Sequence, residues 1–143
     1  HRPCFIAIET KYTDVLGSNN AQSKALVKQK ALIQELGQFK PEAERQLLDG
    51  TKAISQIYRN YLLTECYRIM EPAHESYSVV LAPAGHPTTA DEVCSLREEL
   101  KEEFRYKVMD ITLEYFVEKA LSCAVGDLKR SLEAFRGRYL SFE

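Results

Sequence analysis

The chain has 143 residues, a length that fits one domain and allows one hydrophobic core. Hydrophobic residues make up 45% of it, which excludes a disordered chain, and no apolar run reaches the roughly 20 residues that a membrane span needs. The 19 basic and 21 acidic residues give a formal net charge of −2. Because this balance gives no electrostatic case for nucleic acid or a membrane surface, we predict a single globular domain, residues 1–143, with neither among its partners.

The first apolar segment runs from Cys4 to Leu16. Its apolar spacing predicts a first helix, and its β-branched content leaves a short strand as the alternative. The turn sequence Gly17-Ser18-Asn19-Asn20 ends this segment. A second helix is predicted from Ser23, which can cap it, to Leu36, with Gly37 as its end.

A long third helix is predicted from Pro41, a favoured residue of a first helical turn, to Met70. The sequence Asp49-Gly50-Thr51 interrupts it as a kink or a true break. The segment from Pro72 to Thr88 is the one long irregular stretch, and within it Ser76 to Leu81 is either a short strand or an extended loop.

The longest predicted helix is the fourth, from Thr89 to Val125, because this stretch contains no glycine or proline. Thr89 and Glu92 form a capping box at its start. Apolar residues recur along it at steps of three and four, as on one face of a helix: Val93, Leu96, Leu100, Phe104, Val108, Ile111 and Tyr115. Its second half is apolar nearly all round, which favours burial, a cavity lining or a homo-oligomer interface. A short helical piece around Leu128, Leu132 and Phe135 closes the chain, and Gly137 ends it.

Together these elements predict an all-α fold: an up-down bundle of about four helices, the third and fourth long, with one long irregular loop between them. Four cysteines, an even count, and a first residue other than methionine favour two disulfides in an oxidising compartment. In the alternating topology only one pairing satisfies both helix lengths and directions, which is Cys66 with Cys94 and Cys4 with Cys123. The alternative is four buried thiols in a cytosolic helical protein.

The search for chemistry finds no catalytic motif. Of the three histidines, His74 and His86 fall in the irregular loop, where no ligand spacing indicates a metal site. The nucleophile-elbow, phosphate-loop and zinc-protease patterns are absent from the sequence. We therefore predict no catalytic residues, no metal, no cofactor and no enzymatic activity.

The predicted function is that of a secreted, extracellular, non-enzymatic helical protein that binds another protein, as a cytokine-like molecule or a secreted inhibitor or effector does. The alternative is an extracellular carrier of a small apolar ligand or lipid inside the bundle. Because tyrosine and arginine are enriched at interface hot spots and long loops often bind, the partner-binding candidates combine helix faces with the loop. They are Tyr77, Val79, Val80, Leu81, His86, Arg59, Arg68 and Arg105.

One family resemblance exists in the first half of the chain. The stretch from Cys4 to Cys66, with Leu16-Gly17 after the first predicted helix, resembles a secretoglobin subunit, a small secreted helical protein with terminal cysteines. The resemblance implies a secreted helical protein. It covers less than half of the chain, and residues 73–143 have no counterpart in it, so the fold prediction does not depend on it.

Overall fold

The computed structural model describes residues 3–11, 23–71 and 73–140. Three parallel strands alternate with helices, so the fold is mixed α/β. The elements in chain order are β1 (Cys4–Thr10), α1 (Ser23–Leu36), α2 (Pro41–Asp49), α3 (Gln56–Met70), β2 (Glu75–Ala82), α4 (Thr89–Glu99), a 3₁₀ helix (Glu102–Lys107), β3 (Val108–Thr112), α5 (Leu113–Cys123) and α6 (Gly126–Tyr139).

The three strands form one sheet in the order β1-β2-β3. Both pairs are parallel, and Glu9 on β1 lies opposite Val80 on β2, while Ser78 on β2 lies opposite Val108 on β3. The central strand β2 is buried along most of its length, as expected for a parallel strand that is covered on both faces. The strand β1 forms one edge of the sheet.

The two faces of the sheet bury different cores. On one face Val80 and Val108 pack with a large cluster from α1, α3 and α4, which includes Ile33, Tyr61 and Leu96. On the other face Val79 and Leu81 of β2 pack with Leu113 at the start of α5. The second cluster is small, and Ile6 and Ile8 on the same face of β1 each remain 56% exposed.

The predicted all-α bundle is wrong, because the chain forms a parallel sheet. The first apolar segment is the strand β1 rather than a helix, so its alternative interpretation was the correct one for residues 4–10. Residues 12–22, where that segment was expected to end, lie outside the described residues. The stretch from Ser76 to Leu81 is part of β2, so a strand occupies the middle of the segment that was predicted to be a long irregular loop.

The continuous fourth helix is also wrong, because α4 ends at Glu99 and Leu100 has an extended backbone. Tertiary backbone hydrogen bonds replace helical ones there: the amide of Lys40 donates to the carbonyl of Glu99 at 2.8 Å, and the amide of Lys101 donates to the carbonyl of Gln38 at 2.9 Å. The chain then passes through the 3₁₀ helix and forms β3, in which Val108, Ile111 and Thr112 are β-branched. Steps of three and four in the sequence did not reveal this break.

The two predicted disulfides are wrong, because Cys4, Cys66, Cys94 and Cys123 are all free thiols. Their pairing depended on the helix directions of a bundle that does not exist. Cys4 begins a strand, whereas the other three lie on three different helices. The segment that resembles a secretoglobin subunit likewise contains β1 and is not wholly helical.

Several local predictions are confirmed. The helix α1 spans Ser23–Leu36, and Gly37 follows it with a φ of 57°, a left-handed conformation that glycine adopts without strain. The helix α2 begins at Pro41, and Gly50 with a φ of 84° makes a true break before α3. Within the part of the chain that the structure describes, no helix is long and apolar enough to cross a membrane.

Candidate active site

Glu9 and Lys11 lie together at the carboxyl end of β1. Side chains two residues apart on a strand point to the same face, and both of these point toward α3. The Nζ atom of Lys11 is 3.0 Å from Oε1 of Glu9. Only 8% of the Lys11 side chain is exposed, against 28% of the Glu9 side chain. The carboxyl ends of parallel strands are where ligands bind in open α/β sheets, so this pair occupies a position suited to chemistry.

Two side chains of α3 hold the carboxylate of Glu9. Gln56 donates from Nε2 to Oε1 of Glu9 at 2.8 Å, and Asn60 donates from Nδ2 to Oε2 at 2.9 Å. Because residues four apart lie on the same face of a helix, α3 presents both amides to β1. The amide oxygen of Gln56 in turn accepts from Nζ of Lys11 at 3.2 Å. The acid, the lysine and the glutamine therefore form a closed triangle with a fixed geometry.

Backbone contacts fix the lysine. The amide of Lys11 donates to the carbonyl of Leu81 at 2.7 Å, which extends the β1–β2 pairing by one residue. The positive charge of Lys11 in turn acts on Glu92, an acidic group in the first turn of α4. Burial raises the pKa of Glu92 above its ordinary value of 4.5, although the charges of His86 and Lys11 oppose this shift. The charges of Glu9 and Glu92 therefore both act together with the enclosed ammonium group of Lys11.

Two other acid-x-lysine sequences in the chain do not form such a pair. Glu99 and Lys101 lie on either side of the extended residue Leu100, and Lys101 donates to the carbonyl of Gly37 at 2.5 Å. Asp127 and Lys129 lie on the exposed helix α6, where residues two apart do not face each other. Of the three acid-x-lysine sequences, only the one at the end of β1 has its acid and its lysine in contact with each other.

Glu65 forms a second polar cluster, on the face of the sheet that α3 covers. Its carboxylate is fully buried and accepts from Gln38 Nε2 at 2.7 Å, from Lys107 Nζ at 2.9 Å, from Arg68 Nε at 3.0 Å and from Ser76 Oγ. Burial raises the pKa of Glu65, but the hydrogen bonds outweigh burial, so that the pKa lies below its ordinary value of 4.5. Since a substrate does not reach a fully buried carboxylate, this cluster is structural.

The partner-binding candidates on β2 do not form one surface. Val79, Val80 and Leu81 are each at most 6% exposed. Val80 belongs to the large core between the sheet and α3. Val79 and Leu81 belong to the small core on the opposite face, where half-buried Tyr77 packs against them. His86 follows β2, with its Nδ1 atom 2.7 Å from Oγ1 of Thr89.

The three arginine candidates lie on two elements. Arg59 and Arg68 are half-buried on α3, and Arg68 pairs with Glu65. Arg105 is half-buried in the 3₁₀ helix, where its Nε donates to the carbonyl of Leu100 at 3.4 Å. A role for any of these candidates in binding a partner stays a prediction, as do the single-domain organisation and the extracellular location.

The fold and the site define an α/β protein with an acid-x-lysine pair at the carboxyl end of a sheet strand. The chain belongs to the PD-(D/E)XK nuclease superfamily, whose family model matches residues 1–141. No curated protein and no solved structure matches the chain. The name of the superfamily spells a motif of Pro-Asp followed by Asp or Glu, any residue and Lys. Glu9-Thr10-Lys11 has the second half, and no Pro-Asp pair occurs in the 143 residues.

This membership overturns the functional predictions. The prediction of a non-enzymatic protein binder is wrong, because the chain belongs to a nuclease superfamily. The alternative of an apolar carrier depended on the interior of a helical bundle, which is replaced by a packed sheet. The apolar half of the predicted fourth helix is divided between β3 and α5, where Leu113 and Val117 are buried while Tyr115 and Phe116 remain exposed. A homo-oligomer through this region stays a prediction.

Sequence reasoning missed every residue of the candidate active site. The available signal was the acid-x-lysine spacing at the end of an apolar, β-branched segment, which the strand interpretation of residues 4–10 would have placed on one face. Gln56 and Asn60 gave no comparable signal, since they are 47 and 51 residues away from Glu9 in the sequence.

Proposed function

We propose that this chain is a metal-dependent nuclease, which hydrolyses the phosphodiester bonds of nucleic acid in an active site formed by Glu9 and Lys11. The observation that carries the proposal is the contact between these two side chains at the carboxyl end of β1, in the spacing that the superfamily name spells. In the other two acid-x-lysine sequences the acid pairs with a different residue, Glu99 with Lys52 and Asp127 with Arg130.

The carboxylate of Glu9 supplies the oxygen ligand that a hard cation such as Mg²⁺ prefers. Gln56 and Asn60 turn their amide nitrogens toward this carboxylate, so they hold it in place and are not ligands themselves. Among the described residues, no three histidine, cysteine, aspartate or glutamate side chains lie close enough together to hold a metal ion. A Mg²⁺ held by one carboxylate needs water and substrate phosphate to complete its shell, which is a common arrangement for this cation.

In the proposed reaction, the oxygen of a water molecule bonds to phosphorus and the bond from phosphorus to the leaving oxygen breaks, while the attacking water gives up one proton to solvent and the leaving oxygen takes one up. A cation held by Glu9 would supply Lewis-acid polarisation of the phosphate and a more acidic water. Lys11 places a positive charge beside the phosphate oxygens, where negative charge develops in the transition state. Gln56 and Asn60 act as positioning residues, because they fix the orientation of the Glu9 carboxylate.

Glu9→Gln is expected to lower the rate of nucleic-acid cleavage by at least about 100-fold, because it removes the charge that holds the cation. The measurement is cleavage of labelled single-stranded and double-stranded oligonucleotides with Mg²⁺, and with EDTA as the metal-free control. Asp127→Asn is the matched variant, since Asp127 belongs to an acid-x-lysine sequence on the exposed helix α6, and it should cleave at the wild-type rate. A wild-type protein inactive on every nucleic acid, or a fully active Glu9→Gln, would rule the proposal out.

A further inference from the structure

A groove leads away from the active site along β1, between this strand and α3. It has a volume of about 180 Å³, and Glu9 and Asn60 line one end of it. Phe5 and Tyr67 line the other end, and Leu63 lies between them. At about 3.3 Å per residue, the four residues from Phe5 to Glu9 span roughly 13 Å. The groove is therefore continuous with the proposed cleavage site at Glu9 and ends at Phe5 and Tyr67.

The far end of the groove carries an aromatic pair. The rings of Phe5 and Tyr67 stack with their centroids 5.4 Å apart and their planes at 17°. Phe5 is half-buried, whereas 51% of Tyr67 remains exposed although Phe5 covers one side of its ring. Leu63, one turn earlier on α3, is 56% exposed. A large ring already held flat against a second ring loses little conformational freedom when another flat group stacks on it.

We propose that this groove holds the base of an unpaired nucleotide next to the phosphate that is cleaved, with the base stacked on Tyr67. The inference rests on the proposed nuclease function and narrows the substrate class to single-stranded nucleic acid. A base within a duplex has neighbours on both faces and must leave the stack before an aromatic side chain can cover it. Every base has a π-face, so such a subsite tolerates any sequence.

The net charge of the chain gives phosphates little electrostatic attraction, so the proposed binding has to draw its affinity from stacking. Proteins that bind nucleic acid through phosphates alone depend on many lysines and arginines. This chain has fewer basic than acidic residues, 19 against 21, and the lysine at the active site is already paired with Glu9. An aromatic subsite beside the site compensates for a weak electrostatic term, because it adds affinity that does not require phosphate contacts.

Tyr67→Ala is expected to weaken binding of a single-stranded oligonucleotide by about 5- to 150-fold, the range for loss of one base-stacking side chain. Binding is measured by fluorescence anisotropy in EDTA, where the proposed cleavage does not occur. Tyr67→Phe keeps the ring and should bind like the wild type. Tyr115→Ala is the matched control, since Tyr115 is 54% exposed on α5, away from the groove.

A set of oligonucleotides that carry 2-aminopurine at different positions reports stacking directly, through the fluorescence of this base. At one position its fluorescence should be quenched on binding, and Tyr67→Ala should abolish this quenching. An abasic nucleotide at that position should cost as much affinity as Tyr67→Ala, and the two changes together should cost no more than either alone. Leu63→Glu is a second variant at an exposed position, and it should also weaken binding because it brings a negative charge near the phosphates.

The inference is overturned if Tyr67→Ala and Leu63→Glu bind as tightly as the wild type and no position of 2-aminopurine is quenched. A groove that takes a protein segment would give this result. If the wild type still cleaves nucleic acid and Glu9→Gln does not, the nuclease function stands and the stacking subsite alone falls. If the protein neither binds nor cleaves any nucleic acid, both proposals fall.

Discussion

Lys11→Met is expected to lower the rate of nucleic-acid cleavage by about 10²- to 10³-fold, the usual cost of removing one preorganised electrostatic donor. Methionine keeps the length of the aliphatic stem and removes the charge. The side chain of Lys11 is only 8% exposed, and a charge that is shielded from water acts more strongly on a phosphate than an exposed one. The measurement is single-turnover cleavage at saturating enzyme, which separates chemistry from binding.

The control for this variant is Lys129→Met, which removes the lysine of the acid-x-lysine sequence on α6. Lys129 is exposed, so its loss should leave both cleavage and stability near the wild-type values. Thermal unfolding of Lys11→Met shows whether the triangle with Glu9 and Gln56 also stabilises the fold. A rate within threefold of the wild type for a folded Lys11→Met would place the chemistry elsewhere in the molecule.

Lys107→Met is expected to lower the free energy of unfolding by about 1.5–3 kcal/mol, because it removes one of the two cationic partners of the buried Glu65 carboxylate, the other being Arg68. Lys107 is 5% exposed and Glu65 is fully buried, so water does not compensate for the lost partner. The measurement is urea unfolding followed by circular dichroism. Lys40→Met, at an exposed position, should change the free energy by no more than about 0.5 kcal/mol.

Two further measurements separate the ion pair from simple packing. The double variant Glu65→Gln with Lys107→Met should lose less stability than the sum of the losses in the two single variants, since the two side chains form a direct ion pair. The pKa of Glu65 is lowered in the folded protein, so its ionised form contributes stability above the ordinary pKa of 4.5, and this contribution is lost as the pH falls through the lowered value. The stability difference between wild type and Glu65→Gln should therefore shrink below about pH 4.5. A pH-independent difference would contradict the ion pair.

Local signals in the sequence were enough for the first half of the helical structure. A glycine with positive φ ends α1, a proline begins α2 and Gly50 breaks the chain before α3. Each of these residues acts through its own backbone conformation, so the prediction needs no knowledge of the tertiary fold. These are the boundaries that the structure confirms.

The sheet and the active site depend on contacts that the sequence does not display. Buried parallel strands are short apolar runs, and periodicity does not distinguish them from buried helix. The break at Leu100 arises because backbone groups around Gln38 and Lys40 compete for the helical hydrogen bonds of α4. In a helix, Glu9 and Lys11 would point in different directions. The predicted first helix therefore gave no indication that these two side chains are in contact.

The position of the active site on an edge strand has a consequence for inactivation. Among the described strands β1 pairs with β2 alone, and Ile6 and Ile8 on its outer face are more than half exposed. Separating β1 from the sheet therefore exposes less apolar surface than unfolding of the whole domain does. We expect it to occur as a subglobal opening with a lower free energy than global unfolding. In mild denaturant, cleavage should vanish before the helical circular dichroism changes. Amides of β1 should likewise exchange hydrogen faster than those of β2.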